Sequence, residues 1–297
     1  MLLLRAKQGV IAALTCATMC LGTFSASGDV ADFNNWFLVE DPAHPGFSAA
    51  ATSSNATLSA GDAMIPAGTD IGFSSINANT VAEATEGFYF DTASDFTVAI
   101  DVKLTTTNLT GFIGTGFGVG PDRKGEDSAG YGFALAEGLL DVSLIRAPAA
   151  TRDNNPVAVQ PSSIVRSPAT TTNGVSEAEF SLFVSYDSTS GDVIVAPGLV
   201  GLDFVPASPI FGSADISLGD QVQLSFFLRS DELTLPTFAA NPIEFDPYGG
   251  ESAEAVYSNF RVLEGTPILI PEPSAFSLLI LTGLTACARP KRRTSHV

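Results

Sequence analysis

Phe96-Thr97-Val98-Ala99-Ile100-Asp101-Val102-Lys103-Leu104 decides the fold class. Its large apolar residues fall at every second position, while Thr97, Ala99, Asp101 and Lys103 face the other way. A period of two sustained over this length predicts an antiparallel strand with one face buried. The same alternation returns at Phe180, Leu182, Val184 and Tyr186, and again at Val222, Leu224, Phe226 and Leu228. Weaker strand signals lie at Trp36–Val39, Ala56–Leu58, Gly87–Phe90, Phe112–Val119, Tyr131–Ala136, Leu139–Arg146, Val193–Ala196 and Val256–Leu263. Between two of these runs, Asp187-Ser188-Thr189-Ser190-Gly191-Asp192 has hairpin chemistry, with Gly191 able to take a positive φ. No stretch of the body keeps a helical period for three turns. The chain therefore reads as all-β, with residues 28–266 forming a two-sheet antiparallel β-sandwich of jelly-roll type.

Outward from these runs the signal thins. Apart from Trp36–Val39 and Ala56–Leu58, Asp29–Ala84 reads as strand-poor, supplying an edge strand and covering loops. Ala147–Ser176 is rich in Pro, Thr, Ala and Asn, and Pro236–Gly250 holds three prolines and a glycine pair. Irregular segments of that length are either functional or disordered, and their residues do not separate the two. Several features fall in a familiar order. They are the early Trp36, the central alternating strand, a strand with Gly114, Gly116 and Gly118, the Tyr186–Val193 hairpin, and Tyr257-Ser258-Asn259-Phe260-Arg261-Val262. That order is similar to concanavalin/laminin-G-like jelly rolls. The resemblance implies a fold and no particular activity.

The two ends read differently from the body. Residues 1–27 have the layout of a signal peptide: Arg5 and Lys7, an apolar Val10–Leu21, then Ser25-Ala26-Ser27 for cleavage after Ala26 or Ser27. Cys16 follows Thr15 and Cys20 follows Met19, which does not suit a lipoprotein signal. With Cys287 in the tail, all three cysteines lie in the terminal segments, so core burial alone must hold the exported body. Removing the ends takes six of the 14 basic residues and one of the 32 acids, leaving 8 against 31, a balance of −23. Such a surface repels nucleic acid and anionic lipid and favours solubility outside the cell.

Residues 267–297 form the tail. Pro271-Glu272-Pro273 precedes an uncharged run, Ala275–Ala288, and then Arg289, Lys291, Arg292 and Arg293. The run should be helical, since a proline just before it costs little and the cations suit its C-terminal end. About 14 residues at roughly 1.5 Å each span about 21 Å, short of a hydrocarbon core of roughly 30 Å. The four cations would snorkel to the headgroups and hold the C-terminus on the cytoplasmic side. In this order and place, the tripeptide, the short helix with Gly283 and the basic cluster resemble the PEP-CTERM sorting signal. The resemblance implies a transient inner-membrane tether, a cut near Pro271-Glu272-Pro273 by an exosortase-type transpeptidase, and delivery to the cell surface or an extracellular matrix.

Chemistry is harder to find. The body's one histidine is His44, set in Asp41-Pro42-Ala43-His44-Pro45-Gly46; there is no Gly-x-Ser-x-Gly elbow and no cysteine. Ser-His-Asp, Cys-His and catalytic zinc sites are thereby disfavoured. Two acid pairs have strand spacing, Glu137 with Asp141 and Glu177 with Glu179, but neither fits the paired carboxylates of a jelly-roll glycosidase well. Calcium is the one cation left open, at a turn with Asp122, Glu126 and Asp127 where Arg123 and Lys124 argue against it. Trp36, Tyr131 and Tyr248 are the aromatic candidates for sugar contact, each equally at home in a core. The expectation is a non-catalytic structural or adhesive matrix protein with weak contacts to extracellular polysaccharide. The alternative is a matrix polysaccharide hydrolase on the same scaffold.

Overall fold

A computed structural model describes residues 29–41, 44–121, 129–136, 139–146, 170–203, 210–211, 218–235 and 243–270. Gly28–Ile270 is one compact unit. Its strands, in chain order, are β1 (Phe37–Asp41), β2 (Phe47–Ala51), β3 (Asn55–Ala60), β4 (Thr69–Ser74), β5 (Gly87–Asp91) and β6 (Phe96–Thr107). They continue with β7 (Phe112–Gly120), β8 (Ala129–Ala136), β9 (Leu139–Arg146), β10 (Thr170–Thr172), β11 (Val175–Tyr186) and β12 (Val193–Gly198). The last are β13 (Ile210–Phe211), β14 (Gln221–Ser230), β15 (Leu233–Leu235), β16 (Ile243–Phe245), β17 (Ser252–Glu264) and β18 (Ile268–Ile270).

Two antiparallel sheets face each other, as the sequence predicts. The first runs β1-β4-β14-β7-β8-β9, with β5 on β14 and β18 on β5; the second runs β13-β12-β11-β6-β17-β3-β2, with β10 on β11. Strand β6 lies at the middle of the second sheet, paired along its length with β11 and β17. Its Phe96, Val98, Ile100, Val102 and Leu104 enter the core together with Leu182 and Val184 of β11 and Ala255 and Tyr257 of β17. The first sheet answers with Ile113 and Phe117 of β7 and Leu224, Phe226 and Leu228 of β14. Trp36 seals one region: its ring meets Phe88, Phe226 and Phe260 at 5.1 to 5.3 Å, and its Nε1 donates to the Val30 carbonyl at 3.2 Å. Burying such aromatics supplies roughly 1.5–3 kcal/mol each, the currency of a body with no disulfide.

One tyrosine joins the layers by more than contact. Tyr257 rises from β17 and puts its hydroxyl into the ladder between β7 and β14. It accepts from the Gly116 amide at 3.1 Å, lies 2.9 and 3.0 Å from the Gly116 and Phe227 carbonyls, and touches the Thr115 hydroxyl. Thr115 Oγ1 in turn donates to the Phe227 carbonyl at 2.8 Å. Burial pushes the Tyr257 phenol well above its usual range.

Several expectations are corrected here. Asp29–Ala84 is not strand-poor: it carries β1 to β4, and β4 is an interior strand between β1 and β14. Thr69-Asp70-Ile71-Gly72-Phe73-Ser74 sends only Ile71 and Phe73 to the core, so its alternation is too brief to stand out. Pro236–Gly250 is not wholly irregular, since β16 pairs with β15, and Tyr248 is fully buried with its amide donating to Ser230 Oγ at 2.9 Å. Within Ala147–Ser176, residues 170–176 form β10 and the start of β11; residues 147–169 lie outside the described residues. Strand β18 pairs with β5 over Ile268–Ile270. The Asp187–Asp192 hairpin is as expected: Gly191 has φ +74°, and its amide donates to the Asp187 carbonyl at 2.8 Å.

Candidate functional site

The outer face of the first sheet is built from glycine. Odd residues of β7 (Ile113, Phe117, Val119) face the core, so Phe112, Gly114, Gly116 and Gly118 face outward. Register sets Gly116 opposite Gly132 and Gly118 opposite Gly130 across β7–β8, and Gly72 of β4 opposite Phe227 of β14. The missing side chains let the strands and rings close up. A Cβ on Gly118 would lie 2.7 Å from the Ala129 carbonyl oxygen, and one on Gly116 only 2.9 Å from Phe227 Cζ. The Phe227 ring thus takes the place of the side chain Gly116 lacks, an aromatic cover over a glycine pair.

Beside this floor sits a charge. Arg229 of β14 is opposite Gly114 on one side and Asp70 of β4 on the other, and it is 3 % exposed. Its Nε donates to Asp231 Oδ2 at 2.9 Å, and its Nη1 lies 3.7 Å from Asp70 Oδ2. Phe112, Gly114, Gly132, Phe227 and Arg229 line a cavity of about 20 Å³, room for about one water molecule. A pyranose ring does not fit inside it. Asp70, at 1 % exposure, is out of a substrate's reach, and its charge answers Arg229. The arrangement holds a cation between two carboxylates; it is not a pair of acids flanking an open groove.

A second polar cluster lies on the outer face of the other sheet. Asn259, at φ +51°, is an extra residue where β17 shifts register against β6 between Ser258 and Arg261. The bulge keeps Phe260 in the core and turns Arg261 outward. Arg261 Nη1 then sits 3.1 Å from Asp101 Oδ1, its Nε lies 3.2 Å from Asp203 Oδ1, and its Nη2 donates to the Leu202 carbonyl at 2.9 Å. Asp101 also accepts from Asn259 Nδ2 at 2.8 Å and from the Ser181 hydroxyl. This cluster ties the chain after β12 to the bulge.

The candidates read from sequence fare unevenly. Trp36, Tyr131 and Tyr248 are core residues at 4, 1 and 0 % exposure, which removes them as sugar-contact aromatics. Burial and the nearby Asp62 charge push the Tyr248 phenol up to about 12, and its hydroxyl donates to the Gly61 carbonyl at 3.2 Å. Glu177 pairs with Lys103 at 2.9 Å on a solvated face, a contact that raises the Lys103 ammonium above its ordinary value. His44 Nδ1 accepts from the Gly46 amide at 3.1 Å, pinning its turn. Among the described residues no three His, Cys, Asp or Glu side chains gather as a metal site. Asp122, Glu126, Asp127 and Glu137 lie outside the described residues, and Asp141 is placed in β9 by its backbone. Pro271, Glu272, Pro273, Arg289, Lys291, Arg292 and Arg293 also lie outside them. The Arg229–Asp70 pair escaped the sequence reading because 158 residues separate the two in the chain and only register joins them; the one local signal was an arginine inside an apolar strand.

No family model matches the chain, and no curated protein matches it. Among solved structures, the chain is similar to peanut lectin with a nine-residue peptide, at 13% identity over 82% of this chain and 94% of that one, TM-score 0.33. It is also similar to the alginate lyase from Corynebacterium sp. (10% identity, 80% and 96% covered, TM-score 0.36). A third is the Bacteroides ovatus mixed-linkage glucan GH16 protein in complex with its product (9% identity, 78% and 98% covered, TM-score 0.33). At these values the likenesses carry no residue correspondence and no activity.

Proposed function

We propose that this chain is an exported, surface-sorted β-sandwich that serves as a structural or adhesive component of an extracellular matrix, touching polysaccharide weakly from its outer surfaces. The observation that supports it best is that the sandwich spends its buried charge on itself. Asp70, Asp101 and Arg229, the charged residues buried among those described, all serve pairs or clusters that join strands. The cavity beside Arg229 is water-sized, so a polymer does not enter there, and the exposed polar faces are left for weak contact. Export and sorting rest on the two ends of the sequence, through the signal-like residues 1–27 and the tail from Pro271.

Incubating residues 28–270 with a panel of matrix polysaccharides tests the reading. Retardation on a glycan column without release of saccharide is the expected result. Turnover that disappears on changing an acid pair would instead establish the hydrolase. Mass spectrometry of the mature protein tests the sorting half: Ser295-His296-Val297 should be missing, and their presence would refute it.

A further inference from the structure

The sandwich does not stop short of the tail; it runs up to it. Strand β18 pairs antiparallel with β5, Ile268 opposite Tyr89, Leu269 opposite Phe88 and Ile270 opposite Gly87. Leu269 packs against the core, and Gly265, at φ +83°, lies in the link between β17 and β18. The next residue after Ile270 is Pro271. No spacer residue therefore separates the last ladder pair from the tripeptide that the sorting reading makes the processing site. Enzymes that cut chains hold several residues on each side of the scissile bond as an extended strand, through main-chain groups. In the folded body, β5 already occupies one edge of the strand on the upstream side and holds it against the sandwich.

We propose that β18 is a latch on processing: the three residues must leave β5 before a membrane enzyme can seat Pro271-Glu272-Pro273, so that release of the body waits on this local opening. This rests on the sorting reading above. The cut itself breaks one peptide bond, passing the new acyl end to water or an amine while the departing amine takes the proton; β18 has no part in that chemistry. What β18 sets is how often the site is available. A strand this short, bound along one edge at the end of a domain, opens locally far more readily than the whole sandwich unfolds. The latch would slow processing without forbidding it.

The cysteine-free body offers a direct test. Ile268 is 37% exposed and directly opposite the half-buried Tyr89, so Ile268→Cys with Tyr89→Cys can staple β18 to β5 without touching the Phe88 core contact. The full chain, with Cys287→Ser in the tail so that no third thiol competes, is expressed in a host with an exosortase-type enzyme, and loss of the tail is followed in a pulse-chase. The oxidised staple should lose the tail at least tenfold more slowly than the same protein after mild reduction. Leu269→Ser, which loosens the strand and leaves the rest of the core intact, should lose it faster than the unaltered chain. Equal rates for oxidised and reduced staple would overturn the latch while leaving the sorting reading intact. Retention of the tail in every form, the unaltered chain included, would overturn both.

Discussion

Changing Tyr257 to Phe isolates a polar group that crosses from sheet to sheet. The ring keeps its place, 4.3 Å from Phe226 between centroids, so packing is nearly conserved. What is lost is the oxygen that accepts from the Gly116 amide and sits between the Gly116 and Phe227 carbonyls. Because Thr115 Oγ1 still reaches the Phe227 carbonyl, the amide of Gly116 is the group left without its partner. A lost hydrogen bond costs about 1 kcal/mol net, and a buried donor left unsatisfied costs roughly 1–3 kcal/mol. The expected loss is therefore about 2–3 kcal/mol. In a domain of this size each kcal/mol moves Tm by roughly 2–4 °C, giving a fall of about 4–12 °C. Urea unfolding of residues 28–270 should show a lower midpoint at unchanged slope. Thr115→Val together with Tyr257→Phe should cost less than the sum of the two, since both act on one cluster. A Tyr257→Phe protein within about 0.5 kcal/mol of the original, inside the ordinary range for surface changes, would show that the hydroxyl does not serve the β7–β14 ladder.

Other expectations follow from the same geometry. Both Tyr248 and Tyr257 have phenols raised above the ordinary value of 10, so the stability they confer is complete below pH 10 and lost as pH rises through the folded-state values, for Tyr248 about 12; a melting series into the alkaline range should fall off above pH 10, less steeply in Tyr248→Phe. Gly118→Ala forces a Cβ to 2.7 Å from a carbonyl oxygen and should cost more than about 2 kcal/mol by overpacking, whereas Gly201→Ala, with open space around it but φ +77°, should cost only about 1–2 kcal/mol, both read by chemical denaturation. Arg229→Met removes the guanidinium that faces the buried Asp70 and should destabilise by about 3–5 kcal/mol; a loss below about 1 kcal/mol would mean that the pair holds nothing.

How much of this was legible follows from what local sequence can encode. Strands β6, β11 and β14 announce themselves because large apolar residues return at every second position over most of their length and face the core. Strand β4 does not: Asp70, Gly72 and Ser74 occupy its outer face, and its place between β1 and β14 is settled by pairing partners far away in sequence. Gly114, Gly116 and Gly118 are plain in the sequence, but their match to Gly130 and Gly132 is a matter of register, which no single strand contains. The aromatics make the same point from the other side. Trp36, Tyr131 and Tyr248 satisfy the composition of a sugar platform as well as that of a core, and only burial decides between them. Tyr257 lies within a weak strand signal; that its hydroxyl enters the opposite ladder depends on how closely the sheets approach.

The way β17 and β18 follow one another sets how the protein would bear mechanical load. A pull applied through Ile270 meets β18 first, and its three ladder pairs with β5 can be stripped one after another, as in unzipping. Behind it, β17 is paired along one edge with β6 and along the other with β3, so traction along its axis must shear both ladders at once. Tyr257, reaching from β17 into the facing sheet, opposes the same slide. A pull through that end would thus meet a yielding strand before an unyielding one.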